Sequence, residues 1–301
     1  MKKTDLFALT SLIIITFTAC QTDRLERISY ISQIEGVERE YFLYLPNGYD
    51  MSDKDWPVLL FLHGNGERGN GRDELDFVLM HGPLMEAWAQ KKNLPFIIIS
   101  PQLHMFGMDT LGISYLTNRD TSAIPKRLEE GAPPREADFT TVGEMSGAIP
   151  ELADYVTLPK GWDKVEEDLI AMIDHVIDNY QSDSSRVYVT GLSYGGFGTW
   201  HLASSYPNRF AAIAPVVGWG HPDLMGPIAE QQIPVWAFAG GRDNTVETKY
   251  FYPGLNKLEE LGHTNVRFTT HEDMGHDTWK RVYKGDDLYH WLLSHKLETA
   301  P

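Results

Sequence analysis

Residues 186–200 read RVYVTGLSYGGFGTW. Val187, Tyr188, Val189 and Thr190 make an alternating β-branched and aromatic run, and beyond Gly191-Leu192-Ser193-Tyr194-Gly195-Gly196 residues 197–206 have helical composition, closed by Pro207. The pattern predicts strand, sharp turn, helix. Glycines two residues before and two after Ser193 let the backbone bend tightly enough to push the hydroxyl out of the turn, where side chains would clash. Ser193 then stands at the carboxyl end of a strand, beside a helix amino terminus that favours developing negative charge. A glycine-rich turn with a merely capping serine fits the same letters, so the surroundings must decide.

Working outward, residues 57–62 (PVLLFL) and 96–100 (FIIIS) are short continuous apolar runs, as expected of strands buried on both faces. Residues 73–92 have helical spacing interrupted at Gly82-Pro83, and 162–180 form an amphipathic helix with Val165, Leu169, Met172, Ile173, Val176 and Ile177 on one face. After the serine the alternation continues: strands over 211–217, 234–239 and 266–271, a helix over 245–261 with an irregularity at Pro253-Gly254, and one final helix through Trp279, Val282, Tyr283, Leu288, Trp291 and Leu292. At the front, 28–35 and 38–45 read as two strands joined at Gly36. The predicted class is α/β: a mostly parallel central sheet with helices on both faces and an antiparallel N-terminal hairpin. Residues 102–159 hold no sustained period and are expected to be an insertion, a lid or binding loop, with a solvated decoration as the plainer alternative.

The chain of 301 residues carries a formal net charge of −16, which argues against nucleic acid as a partner and against direct adhesion to anionic lipid heads. Residues 1–19 have the build of a targeting segment: Lys2 and Lys3, an apolar stretch over 6–17, then small residues ending at Cys20, the only cysteine. This resembles a bacterial lipoprotein signal, which implies cleavage before Cys20, lipid on that residue, and a place in the bacterial cell envelope on the periplasmic or surface face. An ordinary secretory signal cut near Ala19 is the alternative. The remainder, 20–301, is expected to be a single domain carrying the insertion.

In open sheets of this kind, sites form outside the carboxyl ends of the strands. A serine hydroxyl is a poor nucleophile at neutral pH and requires an imidazole to take its proton and an acid to hold that imidazole's tautomer. Asp243 follows one late strand and His276 follows the last, giving the chain order Ser, Asp, His expected of this architecture. Asp223 is the alternative acid and His271 the alternative base. The loop His63-Gly64-Asn65-Gly66-Glu67-Arg68-Gly69 is glycine-dense enough to turn main-chain N–H groups toward a bound oxygen, with His63 itself expected to pack beneath it. Trp219 and His221, past another strand, are candidate pocket residues, with core packing the competing role for Trp219. The eleven histidines show no paired spacing that would converge on zinc, so neither a metal nor a cofactor is expected.

Taken together, HGNGERG, SPQ at 100–102, RVYVTGLSYGGFGTW, FAAIAP, GGRDNTV and MGHDTW resemble the α/β-hydrolase group of feruloyl and acetyl xylan esterases, polyhydroxybutyrate depolymerases and predicted secreted peptidases. The resemblance covers 27–296 apart from the insertion. It implies Ser193 as nucleophile, Asp243 as acid and His276 as base, with the N–H groups of Tyr194 and of a residue in the His63 to Gly66 loop, Asn65 first among them, as the oxyanion hole. It further implies hydrolysis of a carbohydrate-linked ester. Peptide or polyester hydrolysis on the same fold, or a noncatalytic surface binding role, are the alternatives.

Overall fold

The computed structural model describes residues 22–129, 141 and 143–298; the targeting segment and Cys20 lie outside the described residues. Eight strands form one sheet: β1 Arg24–Ile31, β2 Glu38–Leu45, β3 Trp56–Leu62, β4 Ile97–Pro101, β5 Ser182–Leu192, β6 Ala212–Val216, β7 Val235–Gly240 and β8 Val266–His271. Their order is β1-β2-β4-β3-β5-β6-β7-β8. Only β2 runs against its neighbours, while β3 to β8 are mutually parallel. Because β1 opposes β2 and β2 opposes β4, β1 runs in the same sense as the parallel strands and starts at the edge away from their carboxyl ends.

The sheet is mostly parallel because its strands are apolar on both faces, and each face then needs a helical cover. Along β3, Val58, Leu60 and Leu62 enter one core with Val189, Ile213 and Val235, under Leu169, Ile173 and Phe251 of the helices Glu166–Asn179 and Phe251–Glu260. The alternate residues Leu59 and Phe61 enter the other core with Ile98, Ala214 and Phe238, under Leu75, Val78, Tyr283 and Leu288. The period of two along the strands thus divides one run of apolar residues between two layers.

Four elements differ from the sequence reading, each for a local reason. The first hairpin pairs Ile31 with Glu38, so its turn spans 32–37, where Gly36 takes φ 65, and β1 begins earlier than residue 28. The helix expected over 73–92 is a 3-10 run Leu75–Met80, one turn Gly82–Leu84 and a π turn Met85–Ala89. Gly82 has φ 88 and packs so closely on Phe61 that an added Cβ would lie 2.1 Å from the ring. Pro253 does not break the helix expected over 245–261, since that helix starts at Phe251 and a first-turn proline has no hydrogen bond to lose. The final helix divides at Gly285 into Trp279–Lys284 and Asp287–Leu293.

Candidate active site

Ser193 sits between β5 and the helix Tyr194–Ser205 with φ 51 and ψ −114, a conformation disfavoured for a side-chain-bearing residue. The surrounding backbone holds it there. The Ser193 N–H donates to Val216 O at 2.9 Å and the Phe197 N–H donates to Ser193 O at 3.1 Å. The flanking glycines are required by proximity: an added Cβ at Gly195 would lie 1.8 Å from Leu62 O, and one at Gly191 2.3 Å from Gly195 O.

The parallel strands bring the other candidates to the same edge. Asp243 follows β7 and is 4% exposed. Its Oδ1 accepts from the N–H groups of Thr245 and Val246, both at 2.8 Å. His276 follows β8, with Nδ1 2.8 Å from Asp243 Oδ2 and Nε2 3.0 Å from Ser193 Oγ. An ionised carboxylate only accepts, so the proton belongs on Nδ1 and Nε2 is left to accept from the serine hydroxyl. Trp279 packs edge-on against the His276 ring, centroids 5.1 Å apart, and limits its swing.

The glycine-dense loop lies beside Ser193 because β3 pairs with β5, Leu62 opposite Gly191. Asn65 opens the 3-10 turn Asn65–Glu67 and Tyr194 opens the helix Tyr194–Ser205. As first residues of their turns, both have N–H groups without an intrahelical acceptor. His63 is fully buried: its Nδ1 donates to Gly64 O at 2.6 Å and its Nε2 accepts from the Leu103 N–H at 2.9 Å. Burial pushes its pKa down to about 3, so it is a neutral strut beneath the loop.

The alternative partners are placed elsewhere. The Asp223 side chain is 86% exposed, with its carboxylate 3.2 Å from His221 Nδ1, and His271 ends β8 with its ring stacked on Phe238. Trp219 is 5% exposed and packs against Phe197 and Tyr250. His221 lines a cleft of about 230 Å³ next to the serine turn, together with Leu158, Trp162, Tyr194, Phe197 and Leu224. The insertion rims this edge of the sheet: residues 157–160 wall the cleft, Tyr115 OH accepts from Asn65 Nδ2 at 2.8 Å, and the Thr141 N–H donates to Asp273 O at 2.8 Å. Among the described residues no cluster of His, Cys, Asp or Glu has the arrangement of a metal site.

The sequence reading passed over two buried charged residues of the loop, Glu67 and Arg68, 7% and 1% exposed. Their only signal in the sequence is a charged pair inside a glycine-dense segment that itself follows a buried strand. Burial raises the Glu67 carboxyl to about 7, with the backbone N–H groups of Glu67 and Gly64 opposing the shift.

The sheet order, the strained serine turn and the helices on both faces define an α/β-hydrolase by fold. A solved thermostable esterase superposes with a TM-score of 0.59, at 24% identity, over 90% of this chain and 63% of that one. Residues 160–252 match the prolyl oligopeptidase family. In sequence the chain is similar to feruloyl esterase B of Talaromyces funiculosus, 40% identical over 132 residues, which are 44% of this chain and 33% of that protein. It is also similar to the bifunctional acetylxylan esterase/xylanase of Neocallimastix patriciarum, 34% identical over 131 residues, 40% of this chain and 19% of that protein. The chain therefore spans only a third or less of the length of these relatives.

Proposed function

We propose that the protein is a serine esterase that cleaves carboxylic esters by two-step acyl transfer, acting on acetyl or feruloyl groups carried by a polysaccharide. The observation that carries this reading is the continuous contact from Asp243 through His276 to Ser193, at 2.8 and 3.0 Å. In the first step His276 Nε2 takes the Ser193 proton as Oγ attacks the ester carbonyl. Asp243 stabilises the imidazolium, and the Tyr194 and Asn65 N–H groups receive the oxyanion, each worth about 3 kcal/mol. His276 then returns the proton to the departing alcohol oxygen. Water attacks the acyl-enzyme by the same route, releasing the acid and restoring the serine.

The similarity to feruloyl and acetylxylan esterases supports the carbohydrate-linked ester, and the cleft lined by Trp162, Phe197 and His221 offers aromatic faces to a sugar ring or phenolic acyl group. The match to the prolyl oligopeptidase family favours a second reading, amide hydrolysis by the same residues. Purified protein assayed on acetylated xylan, feruloylated oligosaccharide, polyhydroxybutyrate and peptide substrates separates the two. Turnover confined to the peptides would replace the esterase reading, and Ser193→Ala should abolish whichever activity is found while leaving the fold intact.

We further propose that Cys20 is lipidated and holds the enzyme in the cell envelope. Incorporation of labelled palmitate that is lost on Cys20→Ala would support this, and a soluble exported protein without label would refute it.

A further inference from the structure

Arg68 is as buried as the apolar core, yet among the described residues no carboxylate forms an ion pair with it. Its guanidinium is held by neutral groups instead. Nε donates to Asn65 Oδ1 at 2.5 Å, Nη1 to His104 O at 2.7 Å and Nη2 to Lys160 O at 3.4 Å. The Tyr194 ring lies against it, 5.0 Å from Cζ to centroid. The chain just past the insertion fits closely on the same group, since a Cβ at Gly161 would come within 2.6 Å of Nη2. A buried charge without a contacting counterion is costly, and burial lowers the pKa of this guanidinium, with Tyr194, Tyr115 and the Asp163 carboxylate opposing that shift from longer range. Methionine or leucine would fill the volume without that cost.

Two relationships give the charge a use. Arg68 grips the side chains of both residues whose N–H groups are assigned to the oxyanion hole, Asn65 by a hydrogen bond and Tyr194 by its ring face. Among the described residues no anion touches the guanidinium, and the reaction generates one: a tetrahedral oxyanion forms beside these two residues and collapses again. We propose that Arg68 is the positioning residue of the oxyanion hole, fixing Asn65 and Tyr194 together and holding a positive charge, touched by no carboxylate among the described residues, that the transient oxyanion matches. This rests on the reading of Ser193 as the nucleophile of an ester hydrolase.

The test compares Arg68→Met, Arg68→Lys and Tyr115→Phe with the parent for kcat and KM on p-nitrophenyl acetate and for inhibition by phenylboronic acid. That inhibitor bonds to Ser193 Oγ as an anionic tetrahedral adduct, with the serine proton passing to His276. Circular dichroism and Tm are measured alongside. Arg68→Met should lower kcat by about 30-fold or more with KM within about threefold, and weaken the boronic acid by a comparable factor. Packing alone would not move the boronic acid affinity in a folded variant. Arg68→Lys should recover part of the loss because the charge is kept. Tyr115→Phe, at a side chain exposed on the insertion, should fold normally and lose about three- to tenfold in kcat by releasing Asn65. If Arg68→Met folds and keeps both kcat and boronic acid affinity within about threefold of the parent, the proposal is overturned. If it does not fold, unchanged values for both Arg68→Lys and Tyr115→Phe overturn it. Failure of the esterase reading is seen separately, as a parent protein that neither hydrolyses the ester nor is labelled at Ser193 by a fluorophosphonate.

Discussion

Asp243 divides its carboxylate between two tasks: Oδ1 is fixed by the backbone of its own turn while Oδ2 meets His276 Nδ1 at 2.8 Å. The orientation of the carboxylate is thus set by its own turn as well as by the imidazole. In Asp243→Asn the amide oxygen should keep the Thr245 and Val246 bonds, which turns the NH₂ group toward His276 and forces the wrong tautomer. Ester turnover should fall by about 10⁴-fold at neutral pH with little change in Tm, measured by steady-state kinetics and thermal melting.

Gly195 offers a test of the turn itself. With an added Cβ 1.8 Å from the backbone oxygen of Leu62, no side-chain rotation relieves the clash. Gly195→Ala should separate β3 from the serine turn, lower stability by about 4 kcal/mol or more and abolish activity. Denaturant unfolding is the measurement, and a variant as stable as the parent would contradict the packing described.

Glu67 makes stability depend on pH in the direction opposite to most carboxylates. Its folded-state pKa is raised by burial from the ordinary 4.5 to about 7, so the folded protein holds the proton more tightly than the unfolded chain. The resulting stability is fully present below pH 4.5 and is lost as pH rises through 7. Glu67→Gln should therefore raise Tm relative to the parent at pH 8 and change it little at pH 4.5. His63 and His81, lowered by burial to about 3 and about 4, act in the other sense and destabilise the fold progressively below pH 6.5 in both proteins.

Gln102 braces the loop from behind. Its Nε2 donates to Glu67 O at 2.9 Å and Glu74 O at 2.6 Å, and its Oε1 accepts from the Gly71 N–H at 2.8 Å. Gln102→Leu keeps the bulk but takes the side-chain partner from the Glu67 carbonyl and the Gly71 N–H, while Glu74 O keeps the Phe77 N–H, at about 1 to 3 kcal/mol for each unpaired group that stays buried. A loss of about 3 kcal/mol in chemical denaturation is expected, with kcat falling more than KM rises.

The sheet was legible in the sequence because strands such as 57–62 and 266–271 are bounded by glycine, proline or charge, and side-chain alternation is a local property. Ser193, Asp243 and His276 were legible for a related reason: in a parallel sheet every strand end reaches one edge, so sequence position becomes a spatial statement. Arg68 and Glu67 were not. Both are buried by the folded chain, Arg68 among groups as distant as Tyr194 and Lys160, and no pattern in a short window separates a buried arginine from a solvated one. The division of the 73–92 segment was hidden similarly, since it depends on Phe61 of a different element lying against Gly82.

The direction of β1 bears on how an attached enzyme would face its surroundings. β1 starts at Arg24 on the underside of the sheet, while Ser193 opens on the opposite rim. Acyl chains on Cys20, just ahead of Arg24, would hold that underside toward the bilayer and leave the catalytic mouth looking outward. A polymer too large to approach the lipid surface could then be worked on from above.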